Sequence, residues 1–129
     1  MINQLAISSF IMLILDAIFL SINKTYFITQ ITDIQNKDFN INYYGLILCY
    51  IILILGLNYF IINENKSIQD AFLLGVFTYG VYETTNLSTF TNWKLKTVFI
   101  DTLWGGILFA LTTFFTYEIQ KLNVVKNLM

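Results

Sequence analysis

Three carboxylates stand where the surrounding sequence is almost wholly apolar: Asp16, Glu83 and Asp101. Around them lie groups that donate or accept hydrogen bonds, namely Tyr79, Tyr82, Thr85, Asn86 and Trp104. The chain contains no His and no Arg, and no Lys falls inside the apolar stretches. Crowded acids without a counter-cation have three ways to exist in a dry medium. Some stay protonated, a cation sits among them, or water enters. Trp104 adds an aromatic face of the kind that attracts organic cations. Proton, cation or small cationic-ligand binding is therefore the chemistry these residue types suggest.

The spacing of the polar residues makes them neighbours. On a helix of about 3.6 residues per turn, Gly75, Tyr79, Tyr82, Glu83 and Asn86 fall at i, i+4, i+7, i+8 and i+11. Asp101, Trp104, Gly105 and Gly106 open the following apolar segment. Gly105–Gly106 and the pair Gly75/Gly80 read as points of close helix contact. The Asn, Thr and Tyr residues have a plainer reading too. Such groups hydrogen-bond across helix pairs in lipid for about 0.6 kcal/mol each, and Tyr79, Asn86 and Trp93 taken alone fit that role. The acids are different, because a charge at mid-bilayer costs about 2.5–3.5 kcal/mol on insertion scales, and intramembrane ionisable groups default to a functional hypothesis.

Composition says what medium this is. Of 129 residues, 57% are hydrophobic and 12% charged, where soluble domains carry roughly 25% charged residues. There is no basic surplus for nucleic acid, since the formal net charge is -1. A membrane helix needs about 20 apolar residues, and four such segments are visible, at about 5–22, 43–62, 68–87 and 98–119. The expected fold is all-α, an integral membrane four-helix bundle of up-down-up-down topology in a single unit. Its solvent is the lipid bilayer, and the cell membrane is the expected location. A homo-oligomer is compatible with the pattern.

In chain order, the first segment reads as a retained helix and not as a removable signal. The connector 23–42 places Phe27, Ile28, Ile31 and Ile34 at helical spacings, so either the first helix continues or a short helix lies on the membrane surface. The second span is free of charge, carries Tyr43, Tyr44 and Tyr59 near its ends and lines up Gly45, Cys49 and Gly56. It reads as scaffold, with Cys49 an inert core residue. Ser67 and Asp70 have the spacing of a capping box before the third span. Trp93, Lys94 and Lys96 suit the membrane interface, as do Lys121 and Lys126. Asp70 and Glu118 sit near Lys66 and Lys121 and read as boundary charges at the other end. Lys24, Lys37, Lys94 and Lys96 on one side, against Lys66, Lys121 and Lys126 on the other, make only a slight positive-inside bias.

With alternating spans, Asp16, Glu83 and Asp101 share one half of the bilayer, Asp16 about 10 Å from its boundary. A Ser-His-Asp hydrolase and a zinc site of the usual His/Cys type are excluded by the residue inventory. A hard-cation site of carboxylates and carbonyls stays open, with no cofactor indicated. Two other functions fit the residues. One is a metal-dependent enzyme acting on a lipid-soluble substrate, and the other an accessory subunit whose polar stripe mediates helix assembly.

The run Gly75, Tyr79, Tyr82-Glu83, Thr85-Asn86, Thr89, Trp93, Asp101 and Trp104-Gly105 resembles the small bacterial membrane proteins of the domain-of-unknown-function 2177 family. Their signature is Tyr-Asp-Leu-Thr-Asn, a nearby Trp, then Asp-x-x-Trp-Gly, and Asp16 resembles the acid of their first helix. Glu83 stands where the pattern has Asp, and Thr84 where it has Leu. The resemblance implies a four-span membrane protein over nearly the whole chain, and it implies no activity.

Overall fold

The computed structural model describes residues 2–128, with the side chains of residues 3–122. The interface reading of Lys126 falls outside the described side chains. Five α-helices follow one another: α1 (Ile2–Ile22), α2 (Lys24–Gln35), α3 (Tyr43–Leu57), α4 (Ile68–Thr89) and α5 (Leu95–Leu128). A π-helical turn, Asn58–Ile62, prolongs α3. Three of these stretches are long and apolar enough to cross a membrane: Asn3–Ile22, Tyr43–Ile62 and Leu95–Leu122. The count differs from the four helices expected. The connector forms a helix of its own, and α4 owes its lower hydropathy to Thr78, Glu83, Thr84, Thr85 and Asn86.

Local chemistry explains the breaks. Between α1 and α2 the backbone ladder barely falters, since Asn23 donates to the Phe19 carbonyl at 3.0 Å and Phe27 donates to that of Asn23 at 3.1 Å. Both alternatives for the connector thus hold in part: α2 is a separate helix, and it carries on from α1. It ends at Asn36, whose φ of 53° is a left-handed conformation that Asn tolerates better than most residues. Helix α3 starts at Asn42, whose side chain accepts from the Tyr44 and Gly45 amides. At α4 the Ser67 hydroxyl accepts from the Asp70 amide at 3.0 Å, the first half of the capping box read from the sequence.

The side-chain pairings give the directions. Ser8 meets Asn58 and Asp16 meets Tyr50, so α1 and α3 run antiparallel. Asp16 meets Trp104 and Tyr26 meets Thr97, so α5 runs back along α1 and α2. Helices α4 and α5 form the tightest pair, an antiparallel hairpin whose seam is glycine. A methyl group on Gly75 would overlap the Gly105 carbonyl, and one on Gly105 would overlap the Tyr79 ring. One on Gly106 would stand 2.7 Å from both Phe72 and Val76. Small residues let helices approach until backbones touch, and dispersion then replaces the lipid contacts given up. The core gathers below the acids, from Met12, Leu57, Ile61, Ile62, Ala71, Leu108 and Phe109. Phe10, Ile18, Ile47, Ile52, Phe77 and Phe99 point outward, as expected where the solvent is hydrocarbon.

The seam gives a stability prediction. Gly75→Ala forces α4 from α5 and is expected to cost about 1–3 kcal/mol, the usual range for overpacking. Gly56→Ala, where nothing lies within 4 Å, is the matched control. Thermal unfolding in detergent should lower the midpoint for the first variant and leave or raise it for the second.

Candidate functional site

Asp16 is the centre of the first group. It lies in the middle of α1, is 7% exposed, and is held by two other helices. The Tyr50 hydroxyl of α3 donates to Oδ2, and the Trp104 indole of α5 donates to Oδ1 at 2.9 Å. Each carboxylate oxygen therefore has one donor, the arrangement that a buried acid without a cation needs in order to be tolerated. The Trp104 ring is fixed in turn by Phe19, stacked at 4.4 Å and 2°. One face expected to meet a cation is thereby covered, and the indole N–H serves the acid. Trp104 acts here as a donor because Phe19 lies one helical turn beyond Asp16 on the same face.

Glu83 is the centre of the second group. It is only 1% exposed on α4, and the indole of Trp93 donates to Oε1 at 2.8 Å. Trp93 belongs to the short connection between α4 and α5, which folds back so that its ring covers the acid. Across the seam, the Asp101 carboxyl comes within hydrogen-bonding reach of Glu83 and within electrostatic reach of Asp16. Two ionised carboxylates only accept and repel each other, so a close pair holds a shared proton as a hydrogen bond or is bridged by a cation. Acids from three helices thus approach one another. They do so as two neighbouring groups and not as one open cage. Among the described residues no three acidic or thiol side chains assemble into a metal-holding set. None of the three acids has an ion-pair partner among the described residues, where the one salt bridge joins Lys121 to Glu118 at 3.2 Å. That pair sits at the far end, in keeping with the boundary reading of Glu118.

The other expected residues divide. Tyr79 is half-buried, packs against Gly105, meets Phe109 edge-on at 6.3 Å, and keeps its hydroxyl within electrostatic reach of Asp16 and Asp101. Asn86 is half-buried, one helical turn from Tyr82. Tyr82 itself is 58% exposed and does not share the buried face. Consecutive helix residues are about 100° apart, and the contact line on α4 drifts from Ala71 and Gly75 toward Gly80 and Glu83 because the helices cross. Tyr82, on the trailing side, is left at the edge. Thr85 spends its hydroxyl on the Val81 carbonyl.

Two readings of α3 are corrected. It is more than scaffold, since its Tyr50 is the second donor to Asp16. Cys49 is exposed and not a core residue, although it stands within electrostatic reach of Asp16 and Asp101. A signal for Tyr50 was present. A tyrosine at mid-span, away from either headgroup layer, needs a partner for its hydroxyl, and Asp16 is the acid available. Trp93, which the sequence favours as structural, is the donor to Glu83.

Removing the Tyr50 hydroxyl should expose the cost of the buried acid. Tyr50→Phe is expected to destabilise the protein by about 1–3 kcal/mol, the penalty for a buried polar group left short of a partner. Tyr44→Phe, at an exposed ring, should change nothing. Unfolding by a denaturing detergent measures both, and Asp16→Asn combined with Tyr50→Phe should cost less than the sum of the two.

Comparison with known families adds one finding. Residues 1–118 match a family described as "Predicted membrane protein (DUF2177)". No curated protein and no solved structure matches the chain. The match covers the whole of α1 to α4 and α5 as far as Glu118, including Asp16, Glu83, Asp101 and the donors Tyr50, Trp93 and Trp104, and the chain belongs to this family of predicted membrane proteins.

Proposed function

We propose that the protein crosses the cell membrane four times and binds a proton or a small cation at Glu83 and Asp101, with Asp16 as a nearby third acid, in the service of transport. The observation that carries this reading is the meeting of two carboxyl groups inside the bundle with no cationic side chain beside them among the described residues. Burial of Glu83 to 1% makes full ionisation of the pair costly unless a positive charge joins it. A site of this kind takes up its cation and releases it as the surroundings change, which a static salt bridge would not do. The fourth crossing is α4. At 22 residues it is about 33 Å long, sufficient for a hydrocarbon core of about 30 Å. The hydroxyls of Thr78, Thr84, Thr85 and Ser88 bond their own backbone.

The accessory-subunit reading draws on Tyr82 and Phe77, exposed on the outer side of α4. Neutral replacements separate the readings. Asp16→Asn and Glu83→Gln leave a merely structural subunit assembled and working, and abolish cation-dependent behaviour in a transporter.

The direct test follows the carboxyl stretching bands by infrared spectroscopy, in purified protein in detergent across mildly acidic to alkaline pH. Sodium, potassium, magnesium and tetraphenylphosphonium are added in turn. A band lost in Glu83→Gln and displaced by pH or by one of these cations is the expected result. Acids that titrate together as ordinary exposed groups, indifferent to every cation, would sink the proposal.

A further inference from the structure

The acid pair lies near one end of the bundle, and α2 is fastened across that end by a chain of buried hydrogen bonds. Gln30, 2% exposed, is the one buried residue of α2. Its Nε2 donates to the Asn92 carbonyl at 2.9 Å, and its Oε1 accepts from the Thr97 hydroxyl at 2.6 Å. Since the Thr97 hydroxyl has spent its only proton on Gln30, the Tyr26 hydroxyl at 2.7 Å is the donor to Thr97. Thr97 is fully buried and sits one helical turn before Asp101 on α5. Asn92 is bonded to Trp93 along the chain, and Trp93 covers Glu83. A polar chain therefore runs from α2, through the α4–α5 connection, to the indole over the acid.

Outside this chain of bonds lies an open cleft of about 630 Å³, lined by Thr32, Asp33, Asn36, Asn92 and Lys94. It is polar and adjoins the far end of α2. Asn92 belongs to both sides: it lines the cleft, and its carbonyl is the one Gln30 holds. Asp33 and Lys94 give the opening one charge of each sign. Apart from Gln30, α2 is only partly buried or exposed, with Phe27 meeting Phe19 at 5.8 Å. The helix is held at few points, so breaking the Gln30 bonds frees it without emptying the core.

We propose that α2 is a strap, that Gln30 is the residue which positions Trp93 over Glu83, and that loosening it opens a water-filled way from the cleft to the acid pair. This concerns access to the site proposed above and rests on that reading for its purpose, though its geometry stands on the Gln30, Thr97 and Trp93 bonds alone. A segment bound through a few polar contacts at the membrane edge opens at lower cost than the glycine-seamed pair beneath it. Trp93 then moves with the connection, and Glu83 loses its donor and its cover together.

The two tryptophans of the chain provide the test. With the indole nitrogens labelled, each gives its own resonance in detergent micelles, assigned through Trp93→Phe. In Gln30→Leu, hydrogen exchange at the Trp93 indole should quicken by about tenfold or more, the effect of losing buried hydrogen bonds that hold it closed. Exchange at Trp104, held by Asp16 and Phe19, should stay as in the unaltered protein. Thr97→Val should reproduce the effect on Trp93, and Thr97→Ser, which keeps the hydroxyl, should restore the slow rate. In the first two variants a water-soluble carbodiimide should also label Glu83 faster. If Trp93 exchanges at the unaltered rate in both Gln30→Leu and Thr97→Val, there is no strap. Equal quickening at both indoles would likewise overturn it, since Gln30 would then be holding the fold in general. The outcome is independent of the infrared titration. A strap without cation binding overturns the function and not the latch, and titrating acids with an unmoved Trp93 do the reverse.

Discussion

A carboxyl group withdrawn from water has to find its hydrogen bonds inside the protein, and this requirement shapes one whole end of the molecule. Lipid offers no donor, and a carboxylate without partners would cost more than helix packing returns. Asp16 meets the need with a phenol from α3 and an indole from α5. Glu83 meets it with an indole from the following connection, and the Asp101 carboxyl lies within electrostatic reach. Aromatic N–H and O–H groups suit this task in a membrane, because each carries its donor on a body that is itself apolar. The acids thus fix how four helices and a loop are oriented. Each donor comes from an element other than the one that carries the acid.

The glycine seam makes such a meeting feasible. A carboxyl side chain is short, and opposed acids on two helices touch only if the backbones come close. Gly75 against Gly105, with Tyr79 packed against Gly105, brings α4 and α5 together two turns below Glu83 and one turn beyond Asp101. The same closeness leaves no room for water along the seam. Electrostatic interactions among the acids act there with little screening, since the local dielectric is low. Stability and site chemistry depend here on the same few small residues, and a change at the seam is felt at the carboxyl groups.

Polar bonding at the other levels of the bundle is of a simpler kind. Asn58, at the head of the π turn, ties α3 to Ser8 of α1 at 2.9 Å, and the Tyr117 hydroxyl reaches the Lys66 carbonyl at 2.8 Å. These bonds join neighbours and lead nowhere further. The Tyr26–Thr97–Gln30–Asn92 chain differs, because it ends next to a residue that touches an acid. Extending α1 through Asn23 into α2 makes this possible. A continuous ladder carries Tyr26 and Gln30 along the line already set by Asp16 and Phe19 on α5.

Much of this was legible in the residues themselves. Apolar length sufficed for three of the helices, because lipid imposes a minimum run that the sequence either has or lacks. The polar stripe set Gly75, Tyr79 and Glu83 at helical spacing, and alternation of direction suggested a shared depth for the three acids. A family signature pointed to the same positions. What could not be read was which donor serves which acid. That Tyr50 rather than Tyr79 bonds Asp16, that Trp104 offers its edge rather than its face, and that Tyr82 turns outward all depend on helix crossing and rotation. Periodicity along one helix gives the angle of each residue about its own axis, whereas only packing against the others decides which angle faces inward. Gln30 is the clearest case. By type and neighbours it is an ordinary polar residue in a connector, and its burial exists solely because α2 lies against a loop more than sixty positions away in the chain.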